Sequence, residues 1–268
     1  MKHFINFFKG IGIGIATLVP GVSGGTMAII LGIYDEMIHA VSNFFKKIED
    51  NVKFLFLIGL GAITGLVLFS KIIEYFMSNY KFIMMYLFMG IVIAGIPVLF
   101  KKANTEIKNK KDYIYLVIGF LIIFLMTLNV GTIVNLSNNT GILSFLFLIV
   151  AGIVIAIALI LPGISTSFML LTLGLYEKTI SAINNLDINY LIPICIGGLI
   201  GVLGTTKILE RFMNEHPRKT YFIILGFVLG SLLEIFPGIP EGINILYCII
   251  SFIFGYVIIR YISKKYGE

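Results

Sequence analysis

Two glycine-rich segments carry the hydroxyl groups and the chain breaks from which a binding site could be built. The first reads Pro20-Gly-Val-Ser-Gly-Gly-Thr26 and the second reads Pro162-Gly-Ile-Ser-Thr-Ser167. A helix that begins after a Pro-Gly break directs unpaired backbone amides and the positive end of its dipole into that break. Such a helix start favours an anion, and phosphate is a typical occupant. The predicted anion site consists of Pro20, Gly21, Ser23, Gly24, Gly25, Thr26, Pro162, Gly163, Ser165, Thr166 and Ser167.

A second set of candidate residues consists of charged side chains that occur twice at helical spacing. Lys71 and Glu74 are three residues apart, as are Lys207 and Glu210, and Arg211 follows directly. Ionisable residues within membrane spans often bind substrates or act in gating. Charges near the ends of spans also reach the interface without such a role, and an acid three residues away neutralises the base. Both interpretations stay open, and the binding-site hypothesis includes Lys71, Lys207, Glu210 and Arg211.

Both sets of residues lie in a sequence that occurs twice. Segments 18–34 and 160–176 share proline, glycine, serine, methionine and tyrosine positions at a constant offset, 162 − 20 = 142. Lys71 and Lys207 have an offset of 207 − 71 = 136, and Gly90 and Gly226 keep that value. Because the offset changes once and then holds, an intervening loop has shortened in the second copy. The chain is therefore an internal duplication.

The composition excludes a soluble domain. Hydrophobic residues make up 58% of the chain and charged residues 13%, and the mean hydropathy is +1.01. A soluble protein of this length could not cover so much apolar side chain with polar surface. Several apolar runs approach the roughly 20 residues that a helix needs to cross the bilayer core. The sequence predicts an all-α polytopic membrane protein without a cofactor or metal, in which Cys195 and Cys248 are small buried hydrophobes rather than a disulfide.

The duplication divides the chain into two repeats, residues 1–130 and 142–268. Each is predicted to begin with a broken or re-entrant helix pair, at 4–40 and 142–182, because proline stops the first helix. The second helix of each pair is expected to run to about Ala40 or Ala182. Irregular backbone at membrane depth persists only where protein or water satisfies it. About six full spans are predicted at 53–73, 82–100, 113–130, 190–209, 221–236 and 243–262.

The distribution of basic residues predicts the orientation. A net charge of +6 could suggest a nucleic-acid partner, but the lysines lie in short loops between apolar spans, as the positive-inside rule expects. Loops 41–53, 101–112 and 210–219 and both termini are therefore placed in the cytoplasm, whereas loop 131–141 contains no lysine or arginine. The N-terminal apolar run lacks a small-residue cleavage site and is expected to be retained. The second repeat is then inverted relative to the first, which is typical of alternating-access transporters.

A serine hydrolase is the alternative that the first motif suggests. Residues 21–25 match the pattern G-x-S-x-G, but a nucleophile elbow follows a strand, and the serine needs a positioned base. His3, His39 and His216 fall in loops or at the ends of segments. A hydrolase also has no reason to repeat its serine at position 165. A transporter is favoured, and a small soluble anion remains an alternative substrate.

The paired motifs resemble the bacterial polyprenyl-phosphate transporter family. The residues that carry the resemblance are 19–26 with Gly32-Ile-Tyr34, and 161–165 with Gly174-Leu-Tyr176. The resemblance covers essentially the whole chain. It implies a cytoplasmic-membrane flippase that returns undecaprenyl phosphate from the outer to the inner leaflet for cell-envelope synthesis, with a proton or sodium as a possible coupling ion. The chain departs from the motif at Thr166-Ser167, so the second half of the site is expected to be less open.

Overall fold

The computed structural model describes residues 2–19, 21–104, 109–128 and 141–266. In these ranges the chain forms twelve α-helices and one short 3-10 turn, without a β-strand. The helices of the first repeat are α1 Lys2–Thr17, α2 Gly24–Ile30, α3 Tyr34–Ser42, α4 Ile48–Asn79, α5 Lys81–Ala103 and α6 Tyr113–Leu128. Those of the second are α7 Ile142–Ile160, α8 Thr166–Thr172, α9 Tyr176–Asn184, α10 Ile188–Glu215, α11 Pro217–Ile235 and α12 Asn244–Tyr266.

Six helices of the described ranges are long and apolar enough to cross a membrane. They confirm the prediction of an all-α polytopic membrane protein. The helix α11, predicted as a span, is not among the six, and it carries Arg218, Lys219 and Glu234. The helix α7, predicted as half of a re-entrant pair, is among them. The six are Ile48–Asn79, Lys81–Ala103, Lys110–Leu128, Ile142–Ile160, Ile188–Glu215 and Asn244–Lys264.

The helix that follows each Pro-Gly break is shorter than predicted. The expectation that these helices run to Ala40 and Ala182 is wrong, because each stops after 7 residues and a new helix begins at Tyr34 or Tyr176. Gly32 and Gly174 lie between the helices with φ of 68° and 67°. This left-handed conformation ends a helix and is readily adopted by glycine. Both breaks therefore have the same physical cause.

The two repeats pack in the same way. The helix α1 packs against α4 as α7 packs against α10, and α5 contacts α12 as α11 contacts α6. Small residues let these helices approach closely. A Cβ atom on Gly10 would lie 2.3 Å from the carbonyl oxygen of Ile58, and one on Gly152 would lie 2.3 Å from that of Ile194. The central contact between α5 and α11 joins the two halves.

A buried ion pair ties α11 to the end of α5. The Nε atom of Arg218 donates to Oδ2 of Asp112 at 2.8 Å, and both side chains are nearly inaccessible to solvent. The Nη1 atom of Arg218 donates to the carbonyl oxygen of Ala103 at 3.2 Å and to Oδ1 of Asn104 at 2.8 Å. The guanidinium also lies over the ring of Phe222, 4.9 Å from its centroid.

Replacing Arg218 is expected to destabilise the protein. Removing one partner of a buried ion pair leaves the other charge uncompensated and costs about 3–5 kcal/mol. Arg218→Ala should therefore lower the thermal midpoint of the purified protein in detergent. Arg211→Ala is the matched control, since the Arg211–Glu215 pair is exposed and such pairs contribute about 0–1 kcal/mol. Equal midpoints for the two variants would contradict this assignment.

Candidate functional site

The two glycine-rich motifs meet in the structure. The backbone N–H of Gly163 donates to Oγ1 of Thr26 at 3.0 Å, in a buried position. A Cβ atom on Gly25 would lie 3.3 Å from Cα of Pro162. The hydroxyl of Tyr34 donates to the carbonyl oxygen of Ile160 at 2.9 Å. Pro20 lies outside the described residues. The first motif therefore contacts the second directly, although 137 residues separate Thr26 from Gly163.

The serine of each motif caps the short helix that follows it. The Oγ atom of Ser23 accepts from the N–H of Gly25 at 3.2 Å, and Oγ of Ser165 accepts from the N–H of Phe168 at 3.3 Å. Both serines are buried. An N-cap hydroxyl that accepts from an amide still has its own hydrogen to donate. Because each helix has only 7 residues, the helix dipole contributes less than the sequence suggested.

The turns that precede these serines press against α11. Gly21 has φ of 78° and Gly163 has φ of 83°. A Cβ atom on Gly21 would lie 2.7 Å from Cγ1 of Ile235, and one on Gly163 would lie 2.4 Å from the backbone carbon of Phe227. In the second motif Thr166 is half-buried and Ser167 is exposed. The motifs and α11 thus form one contiguous cluster.

The carboxyl group of Glu234 belongs to this cluster, and sequence reasoning missed it. Glu234 lies half-buried in the last turn of α11, and the Ser165 side chain is beside its carboxyl group. Its Cγ atom is 3.5 Å from the position that a Cβ atom on Gly21 would take. The available signal was an acid at the end of an apolar run. The repeat did not reveal it, since the equivalent position, 234 − 136 = 98, is Val98.

The charged candidates contact the end of α3 rather than the motifs. Glu210 accepts from Nδ2 of Asn43 at 2.9 Å and 2.8 Å and from the ring of His39. The Nε atom of Arg211 donates to Glu215 at 2.8 Å. Lys207 and Arg211 line an open cavity beside Asn43 that contains no motif residue. Lys71 is exposed on α4. A role for these four residues in substrate binding stays a prediction.

The two repeats differ at this contact. On α9 the equivalents of His39 and Asn43 are Ser181 and Asn185, at the offset of 142. There Nδ2 of Asn185 donates to Oγ of Ser181 in its own helix at 3.2 Å, and the α9 face lines an open cavity. Glu74, the equivalent of Glu210, is exposed. The α3–α10 contact is therefore closed, and its α9–α4 counterpart is open in the described part of the chain.

The exposure of the motif tyrosines shows the same asymmetry. The side chain of Tyr34 is 2% exposed, whereas that of Tyr176 is 36% exposed. Five of the seven residues of α2 are buried, against one of seven in α8. The first copy of the motif is packed inward and the second is accessible, which is the opposite of the expectation that the second half would be less open.

Two apolar grooves lie on either side of the motifs. The first, of about 580 Å³, lies between α6, α7, α10 and α11, and Lys219 and His216 line it together with apolar side chains. The second, of about 570 Å³, lies between α1, α2, α5 and α12, and includes Met27 and Leu31 of the first motif region. Ile15 lines one groove and its repeat equivalent Ile157 lines the other. Long apolar ligands fit grooves of this kind.

The match to known proteins covers most of the chain. Residues 13–246 match the model of a family described as undecaprenyl phosphate translocase-like. The chain belongs to this family. A polyprenyl-phosphate transporter of Staphylococcus aureus (strain NCTC 8325 / PS 47) is 33% identical over 275 residues, covering 96% of each chain. One of Vibrio cholerae serotype O1 (strain ATCC 39315 / El Tor Inaba N16961) is 27% identical, covering 88% of this chain and 79% of the relative. No solved structure matches the chain.

Membership in the undecaprenyl phosphate translocase-like family confirms the resemblance drawn from the paired motifs and excludes the serine hydrolase. Both relatives are named transporters rather than enzymes. Ser23 and Ser165 are helix caps bonded to backbone amides.

Proposed function

We propose that the protein carries undecaprenyl phosphate from the outer to the inner leaflet of the cytoplasmic membrane by alternating access, which recycles this lipid for cell-envelope polymers. The family and the relatives named polyprenyl-phosphate transporters support a polyprenyl-phosphate substrate. The six apolar helices support a multi-pass membrane location. The orientation follows from the basic loops and places both termini in the cytoplasm.

In this mechanism the phosphate and the tail occupy different parts of the protein. The phosphate binds where the motifs meet, and the hydroxyl groups of Ser23, Ser165 and Thr26 are its donors. Charge-assisted hydrogen bonds to phosphate are the strong ones in proteins. The isoprenoid tail lies in the apolar grooves or remains in the bilayer beside them, so it never crosses a polar surface. A small soluble anion, the second candidate, would not require grooves lined mainly by apolar side chains.

The asymmetry between the repeats is the observation that carries alternating access. We call the α3–α10 contact and its α9–α4 counterpart the two gates. The first gate is closed, since Glu210 bonds to Asn43, and the second is open, since Asn185 bonds within its own helix and Glu74 is exposed. Exchanging the conformations of the two repeats would open the first gate and close the second. With the predicted orientation, the closed gate faces the cytoplasm, and the site is accessible from the outer side.

Leaflet-resolved detection of undecaprenyl phosphate tests the proposed function. Cells that lack the protein should accumulate the lipid in the outer leaflet, and cells that regain it should return the lipid to the inner leaflet. Purified protein in vesicles should move undecaprenyl phosphate but not inorganic phosphate. An unchanged leaflet distribution in cells without other transporters of this lipid would refute the proposal, and movement of inorganic phosphate would favour the soluble-anion alternative.

Removing either motif serine is expected to weaken transport in part. Losing one hydrogen bond to a charged group costs about 1.5–3 kcal/mol, which corresponds to about tenfold weaker binding or more. Ser23→Ala and Ser165→Ala should therefore each raise the lipid concentration for half-maximal transport in vesicles, without abolishing transport. Ser78→Ala is the matched control, because Ser78 is exposed near the end of α4 and belongs to neither motif. If both Ser23→Ala and Ser165→Ala transport like the wild type, their hydroxyl groups do not bind the phosphate.

A further inference from the structure

Glu234 is an acidic group inside a site proposed to bind an anion. Its neighbour Ser165 belongs to the second motif, and its neighbour Gly21 belongs to the first. The ion pairs described in the structure are His39–Glu210, Lys102–Asp35, Arg211–Glu215 and Arg218–Asp112, and none involves Glu234. The carboxyl group therefore lies between the motifs without a basic side chain to offset its charge.

The groups that face Glu234 from the surrounding elements are neutral. Ser165 faces it from the second motif, and the Gly21 backbone faces it from the first. On α5, Tyr86 lies toward that end of α11: its hydroxyl donates to the carbonyl oxygen of Gly238 at 3.2 Å, and its ring packs against Phe236. A negative charge at Glu234 would thus act on the site with little compensation.

An ionised Glu234 and a bound phosphate would compete for the hydrogen of the Ser165 hydroxyl. A serine hydroxyl has one hydrogen to donate. Its oxygen already accepts from the N–H of Phe168, and an ionised Glu234 beside it would take its hydrogen. The same hydrogen cannot also serve a phosphate oxygen, and two negative groups sharing one hydroxyl repel strongly in a low-dielectric site. A cation on the carboxyl group removes the repulsion and frees the hydroxyl.

We infer that Glu234 makes binding of the lipid phosphate depend on one monovalent cation, a proton or a sodium ion, which neutralises its carboxylate while the phosphate is bound. A protonated Glu234 could itself donate to a phosphate oxygen, whereas sodium would bridge the carboxylate and the phosphate. In both cases the cation crosses with the lipid, so a cation gradient drives transport. This inference rests on the proposed function, and it assigns the coupling to one residue of the second repeat.

Transport driven by separate ion gradients tests the inference. The full-length protein is reconstituted in vesicles with undecaprenyl phosphate, and leaflet transfer is followed with a pH gradient, with a sodium gradient, and with neither, at clamped membrane potential. The wild-type protein should respond several-fold to one gradient, which identifies the cation. Glu234→Gln should no longer respond to it. Glu241→Gln, an exposed acid in the next loop, should respond like the wild type.

Each outcome decides between the inference and the proposed function. A wild-type protein that transports the lipid but responds to neither gradient overturns the inference alone, as does a Glu234→Gln variant that keeps the wild-type response. A wild-type protein that moves no undecaprenyl phosphate overturns the proposed function as well. If Glu234→Gln does not accumulate, wild-type protein is treated with a carbodiimide that modifies carboxyl groups in membranes. Modification of Glu234, located by mass spectrometry, should abolish the gradient response, and a retained response overturns the inference.

Discussion

A protein that carries Asn43→Cys and Glu210→Cys is expected to stop transporting when a short, reducible bis-thiosulfonate joins the two thiols, and to resume after reduction. In the structure Nδ2 of Asn43 lies 2.8 Å from a carboxylate oxygen of Glu210, so the two positions are within reach of a short linker. Alternating access requires this contact to open once in every cycle. A covalent bridge would hold it closed and reduce transport to background. The native cysteines are replaced first; Cys248 is buried as predicted, whereas the prediction of a buried Cys195 is wrong, since Cys195 is exposed.

The equivalent pair of positions, Asn185 and Glu74, provides a control for the conformational state of the protein. Cysteines at Asn185 and Glu74 should not be joined in the conformation described here, because Asn185 bonds within its own helix and Glu74 is exposed. Cross-linking of this pair should increase under conditions that favour the opposite state, and cross-linking of the first pair should then decrease. Full transport by a completely cross-linked Asn43/Glu210 pair would contradict a gate at this position.

Gly163→Ala is expected to abolish both stable folding and transport. Gly163 has φ of 83°, and in the left-handed region a residue with a Cβ atom loses about 1–2 kcal/mol. The added atom would also lie 2.4 Å from the backbone carbon of Phe227 and 2.6 Å from the backbone nitrogen of Val228. Backbone atoms within a helix cannot move aside as a side chain can. Membrane abundance, elution as a single species in detergent and leaflet transfer measure the effect.

Gly204→Ala is the matched substitution. Gly204 lies within α10, and a Cβ atom there would meet nothing within 4 Å. Alanine also has the higher helix propensity, so this variant should fold and transport at least as well as the wild type. A Gly163→Ala protein that behaved like Gly204→Ala would show that the second motif does not press against α11 as described.

The predicted architecture depended on signals that repeat along the sequence. The motif offset of 142 and the apolar runs located the duplication and the helices, because both are visible in residue type alone. The helix breaks at Gly32 and Gly174 were missed, since a glycine inside an apolar run is often tolerated in a helix. Their left-handed φ values occur where the chain turns between α2 and α3 and between α8 and α9. Residue types alone do not show that the chain turns at these positions.

The site was predicted in part. Ser23 and Ser165, with Gly21 and Gly163, were identified because they are repeated, and Glu234 was missed because it is not. The repeated charges at Lys207 and Glu210 appeared equivalent to Lys71 and Glu74, yet Glu210 lies in a closed contact with Asn43 and Glu74 is exposed. Two similar sequences cannot show which of two conformations each adopts, since that difference arises from the packing of the whole molecule.

Helices of one repeat pack against helices of the other, and this packing has a consequence for how such a chain could have originated. The helices α5 and α6 of the first repeat pack against α12 and α11 of the second, rather than against each other. A single repeat made alone would leave those faces, including the backbone approach of Gly90 to Phe252, without a protein partner. An ancestral protein of half this length would therefore have worked as a pair of identical subunits, and gene fusion later joined them. After fusion the two copies were free to diverge, and a residue such as Glu234 could be acquired by one copy alone.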